Sequence, residues 1–148
     1  LEKNQGLVQE AMSKLERFLR EGHQKTVIEH LEKLKNPDII AKALFHRNEQ
    51  VQFAAVKRLR EFGPAAVHHA RTIIEQVWLE DWEFNLNEGS GNSKLTEACE
   101  ETLGKMGPKV LDEIRKLSET KLGDEEYQKF LLEDMRERLI RKSLSKKY

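Results

Sequence analysis

The side chains best suited to chemistry fall in two places. Along Asn48–Phe62, the apolar residues Val51, Ala54, Ala55, Leu59 and Phe62 follow the three-four spacing of a buried helical face. That register leaves Phe53, Val56, Lys57 and Arg60 outside it, as a mixed apolar and basic patch that a partner can occupy. A competing reading buries Phe53 and Val56 against a short helix at 37–46, and the sequence leaves both open. The second place is Trp78-Leu79-Glu80-Asp81-Trp82, where two indoles lie one helical turn apart with Asp81 between them. Such a pair can grip an Arg, a Lys or a peptide. Alternatively, Trp78 and Trp82 divide into a core anchor and a loop lid.

Other reactive residue types lack a productive arrangement. The five histidines are His23, His30, His46, His68 and His69, and none has the spacing of a His-Glu-x-x-His or His-x-x-x-His pair. His68 and His69 are adjacent, so on a helix they are expected to point to different sides. No metal or cofactor is expected. Cys99, the one cysteine, cannot form an internal disulfide and falls at a small buried position, which argues against a catalytic thiol. No P-loop and no Gly-x-Gly-x-x-Gly is present. These absences point away from an enzyme.

Charge narrows the partners. The chain has 26 basic and 26 acidic residues, against a globally basic nucleic-acid binder. The distribution is uneven: Glu75–Glu101 carries eight acids and one base, and Arg136–Tyr148 carries six bases and one acid. Such a gradient orients a protein or peptide partner, or else is simply solvated. No apolar run reaches the roughly 18 residues of a membrane span. The polar start and the single cysteine suit an intracellular protein, cytoplasmic or nuclear. Oligomeric state stays open.

The elements that must position these residues are all helical. Residues 3–20 carry Leu7, Val8, Ala11, Met12, Leu15, Phe18 and Leu19 at amphipathic spacing. Further helices are expected over 23–35, 37–46, 48–63, 64–82, 93–106 and 108–121. The last helix, capped by Asp124 after a stop at Gly123, shows Tyr127, Phe130, Leu131, Met135 and Leu139 on one face. The tail from Lys142 is expected to fray. Residues 83–92, rich in Gly, Asn and Ser, read as a long loop. Two stretches match at an offset of 44 residues: Ala54-Ala55, Leu59 and Phe62-Gly63-Pro64 correspond to Ala98-Cys99, Leu103 and Met106-Gly107-Pro108. Small residues allow close helix approach, glycine ends a helix, and proline starts the next.

A helix-pair repeat of this length, with those small pairs and closing glycines, resembles the HEAT-repeat (armadillo-like) family. The resemblance covers roughly residues 37–122. Gln52 and Thr96 stand where that family often carries Arg. It implies a short all-α solenoid of about three to four helix pairs in a right-handed superhelical stack. The chain then reads as one domain over 1–148: a helix pair at 3–36, repeats at 37–63 and 64–107 with the 83–92 insertion, and a capping repeat at 108–145. Second helices of HEAT pairs line the concave face, which would place Phe53, Val56, Lys57 and Arg60 in a groove. The implied function is a non-catalytic scaffold that binds a protein or peptide. Residues 26–78 also resemble the N-terminal domain of transcription elongation factor S-II through Leu31-Glu32-Lys33-Leu34-Lys35-Asn36, Val56, Leu59, Val67 and Trp78. That implies a module binding short motifs of transcription proteins. HEAT-like DNA glycosylases, with tryptophans and an aspartate in a concave site, suggest a nucleic-acid repair enzyme around Asp81. HEAT-repeat iron hydroxylases need His-Glu pairs, whereas this chain has Glu29-His30 in reverse order.

Overall fold

Several helix boundaries coincide with a cap or a glycine stop written in the sequence. The computed structural model describes residues 22–46, 48–82, 94–120 and 126–145, and before them Gly6, Gln9, Glu10, Ser13, Lys14, Glu16, Arg17 and Arg20. Those early positions are helical and exposed, matching the polar face expected for 3–20. The apolar face of that helix, the 83–92 loop, Gly123 and Asp124 lie outside the described residues.

Helix α1 spans Gln24–Lys33 and α2 spans Pro37–Lys42, continued by a 3-10 turn over Ala43–Phe45. Asn36 caps α2: its Oδ1 accepts the Asp38 backbone N–H at 2.9 Å, with Pro37 in the first turn. Helix α3, Glu49–Phe62, is capped by Asn48, whose Oδ1 accepts from the amides of Gln50 (3.0 Å) and Val51 (3.1 Å). Each cap satisfies amides that the helix itself leaves unpaired. Gly63 (φ +55°) and Gly107 (φ +95°) end α3 and the repeat-equivalent helix α5, Lys94–Lys105. Both adopt the positive φ that glycine tolerates. Helix α6 is Lys109–Thr120 and α7 is Glu126–Ser145. The described residues contain no strand. No described helix is long and apolar enough to cross a membrane.

The helix over 63–82, called α4, is composite, where one long helix is expected over 64–82. It opens as a 3-10 helix (Gly63–His69), turns α-helical over Ala70–Ile73, widens to a π-helix over Ile74–Trp78 and runs on as α-helix to 82. The wide turn lets Val77, Trp78 and Leu79 be buried consecutively, which a regular amphipathic helix would not do.

Helices pack on neighbours both one and two steps along the chain, with α2 on α3, α4 on α5 and α6 on α7 among the one-step pairs. Helix α1 packs on α3, α3 on α5 and α5 on α7, while α2 touches α4 and α4 touches α6. Helices α1 and α3 run parallel. Asn48 Nδ2 donates to Gln24 Oε1 at one end (2.8 Å), and Arg58 Nε and Nη2 donate to the Leu34 carbonyl at the other (3.0 and 2.7 Å). Donor side chains at the 44-residue offset each reach back to an earlier element, although their acceptors do not share that offset. Gln52 donates to the Leu44 carbonyl (3.0 Å), and its equivalent Thr96 donates to Asp81, so each fastens its helix to the preceding even-numbered element. Arg58 reaches Leu34, and its equivalent Thr102 donates to the Val56 carbonyl (3.1 Å), so each fastens to the preceding odd-numbered one.

Two expected registers shift. On α3 the buried set is Val51, Gln52, Ala55, Val56 and Leu59, with Ala54 and Phe62 half-buried. Val56 leaves the surface because α3 is covered on more than one side, by α1, α2, α4 and α5. On α7 the buried stripe is Gln128, Leu132, Met135 and Leu139, while Phe130 is 67% and Tyr127 46% exposed. Two neighbouring stripes on that helix have helical spacing, and contact with α5 and α6 selects the one at 128, 132, 135 and 139. Helix α7 runs past Lys142 to Ser145.

Candidate functional site

A groove of about 700 Å³ opens between α1, α3 and α5, bounded also by the end of α4. Its apolar lining comes from Ile28, Phe53, Ala54 and Leu95. Around them stand four acids, Glu32, Glu49, Glu61 and Asp81, and four bases, Lys57, Arg58, Arg60 and Lys94. The size suits a drug-sized ligand or a few partner side chains.

Most groove charges have duties within the fold. Arg58 spans from the Leu34 carbonyl to Glu61, and its guanidinium lies 5.1 Å from the Phe62 ring centre. Arg60 pairs with Glu101 across α3 and α5 at 2.9 Å. Asp81 is buried and accepts from the Thr96 hydroxyl. Lys57 lies 5.2 Å from the centre of the Phe53 ring, a cation–π contact at the groove wall. Lys57 and Lys94 have no ion pair among the described residues.

Phe53, Lys57, Arg60 and Asp81 therefore meet in one groove, although they come from the two separate places singled out in the sequence. Val56 and Trp78 do not join them. Both have 0% exposure, so neither can touch a partner from the surface. Trp82 is half-buried and packs edge-on to Trp78, with ring centres 6.1 Å apart. Its buried indole N–H has no hydrogen-bond partner among the described residues. Trp78 is thus a core anchor. Its Nε1–H donates to Glu100 Oε2 (3.2 Å), and the other Glu100 oxygen meets Arg138 of α7 at 3.1 Å. Arg138 also pairs with Asp134. Cys99 beside this network is fully buried, and burial, reinforced by Asp81 and Glu100, pushes its thiol pKa well above the ordinary value. It is correspondingly unreactive.

Sequence reasoning missed a second cluster. His68 Nε2 and His69 Nε2 both lie against Asp38 Oδ1, at 3.1 and 2.7 Å. The expectation that adjacent histidines diverge fails here. The 3-10 helix gives way to α-helix at His69, whose φ −97°, ψ 0° falls in the bridge region. Both rings swing to one side, with centres 4.0 Å apart. The Asp38 carboxyl is held below its ordinary pKa by hydrogen bonds from His68 and His69. His69 is also held below its ordinary pKa, chiefly by burial, although Asp38 opposes the shift. The sequence signals available were an acid in the first turn of α2 and a His-His pair at the end of a Gly-Pro corner. Nothing in their spacing joined them.

Comparison with protein-family models, curated proteins and solved structures gives no match for this chain, so the groove and the cluster are read from their own residues.

Proposed function

We propose that the chain is a non-catalytic protein-binding module, a short HEAT-like α-solenoid whose groove between α1, α3 and α5 receives a segment of a partner protein. The groove carries the proposal: Phe53, Ile28 and Leu95 offer an apolar seat, and Lys57 and Lys94 add positive charge beside it. The partner segment has an apolar anchor side chain flanked by a carboxylate. Apolar burial supplies affinity, and the lysines set orientation. The parallel run of α1 and α3, and the packing of α1 on α3 and α3 on α5, support the repeat-stack reading.

Selection from a displayed library of random twelve-residue peptides tests it. Enrichment of sequences pairing an aromatic or large aliphatic residue with a nearby Asp or Glu is the expected outcome. Enrichment of basic peptides, or of no motif over several rounds, would contradict it.

A further inference from the structure

We propose that Asp38, His68 and His69 form a binding site for a divalent first-row metal ion, with Zn²⁺ as the probe. The site is independent of the groove. It joins the first turn of α2 to the 3-10 opening of α4, in the even-numbered helices.

Three observations carry it. First, the donor set is two imidazole nitrogens and one carboxylate oxygen, the ligand types that first-row divalent ions take. One ligand atom from each residue can be chosen so that all three lie within 4.8 Å of one another. Second, the distances are close to those a metal requires. Zinc bonds of about 2.0–2.1 Å at tetrahedral angles place neighbouring ligand atoms about 3.3 Å apart. The two Asp38–His separations are 3.1 and 2.7 Å, so binding asks these two pairs to spread by a few tenths of an ångström, while the His68–His69 pair lies within 4.8 Å. Third, the cluster is reachable. The His68 side chain is 57% exposed and that of Asp38 41%, whereas His69 at 15% gives a fixed inner ligand.

Three protein ligands leave a fourth position for water or another donor. The helix break at His69 gives the arrangement its shape, because a continuous α-helix would set adjacent imidazoles about 100° apart. Two features oppose a cation: the Lys42 charge near His69, and the positive end of α2 beneath Asp38. They weaken binding relative to the same ligands without them, but leave the three ligand atoms accessible.

The test is a Zn²⁺ competition titration against a chromogenic chelator, using tag-free protein in a buffer that does not bind metal. One Zn²⁺ per chain is expected. Asp38→Asn and His68→Gln should each weaken binding at least about tenfold, the scale on which even supporting residues of metal sites act. A His30→Gln/His46→Gln control should bind as wild type does. His68→Gln alters a largely exposed side chain, and circular dichroism confirms its fold before titration. Co²⁺ in place of Zn²⁺ should give visible absorption that His68→Gln removes. Equal Zn²⁺ affinity in wild type and His68→Gln, or loss of binding in the His30/His46 control, would overturn the proposal.

Discussion

Arg138→Ala removes a partly exposed cation that serves a buried acid. Glu100 has a side chain only 8% exposed, and its two oxygens meet Trp78 Nε1–H and the Arg138 guanidinium. Removing Arg138 leaves that carboxylate in the core with a neutral donor alone. Breaking a buried pair from one side typically costs about 3–5 kcal/mol. Arg138 is itself 28% exposed, so the lower end, about 3 kcal/mol, applies here. At about 2–4 °C per kcal/mol for a chain of this size, the melting temperature should fall by about 6–12 °C. Arg60→Ala is the matched control. That arginine also pairs with α5, but at 40% and 48% exposure, and should cost about 1 kcal/mol or less. Glu100→Gln on the Arg138→Ala background should recover part of the loss, because the amide oxygen still accepts from Trp78. Glu100→Gln alone completes a double-mutant cycle with wild type, and urea and thermal melts followed by circular dichroism measure its members alongside Arg60→Ala. Equal melting temperatures for Arg138→Ala and Arg60→Ala would refute the reasoning, since burial would then make no difference to the two pairs.

Three further outcomes follow from named contacts. Asn48→Ala removes the acceptor for two α3 amides and should cost about 1 kcal/mol in urea denaturation, whereas Asn48→Asp should retain most of the stability. Cys99 should resist alkylation in native protein and react as the chain unfolds, so the rate of iodoacetamide labelling in urea should follow the unfolding transition. Acid should weaken the fold through His69. Its folded pKa lies below the unfolded value near 6.5, so the unfolded chain binds the proton more readily, and stability falls as pH drops through 6.5 towards the folded value. Asp38, His68 and Lys42 face this ring. Asp38, with its pKa also depressed, loses its contribution at lower pH, below about 3.8. In chelator-treated protein, His69→Gln should flatten the stability profile between pH 7.5 and 5 relative to wild type, measured by urea midpoints.

Helix boundaries were legible because they rest on local chemistry. Asn36-Pro37, Asn48 and the two Gly-Pro corners act within a few residues of themselves, as N-caps in the first two cases and as helix ends in the others. Facing was less legible. Val56 and Glu100 occupy equivalent places at the 44-residue offset, and both are buried, although one is apolar and the other charged. Glu100 is tolerated there because Trp78 and Arg138 come from distant parts of the chain to meet it. On α7, apolar content alone pointed to Tyr127 and Phe130, but neighbouring helices cover the adjacent stripe. The groove was half legible. Phe53, Lys57 and Arg60 share one helix and were readable together, whereas their meeting with Asp81 depends on how α4 and α5 pack. The Asp38–His68–His69 cluster was not legible, because it depends on a backbone irregularity at His69 and on contact across about 30 residues.

The groove itself is most directly tested by the affinity of a selected peptide for wild type and for Phe53→Ser/Lys57→Glu, read by fluorescence anisotropy at low salt. Lys57→Glu alone, at an exposed position, guards against a variant weakened by the loss of Phe53 packing. At least about a tenfold loss, or about 1.4 kcal/mol, is expected for the double variant, with a smaller loss for Lys57→Glu that shrinks as salt rises. Affinity unchanged in both folded variants would contradict the assignment of the α1–α3–α5 groove as the partner site.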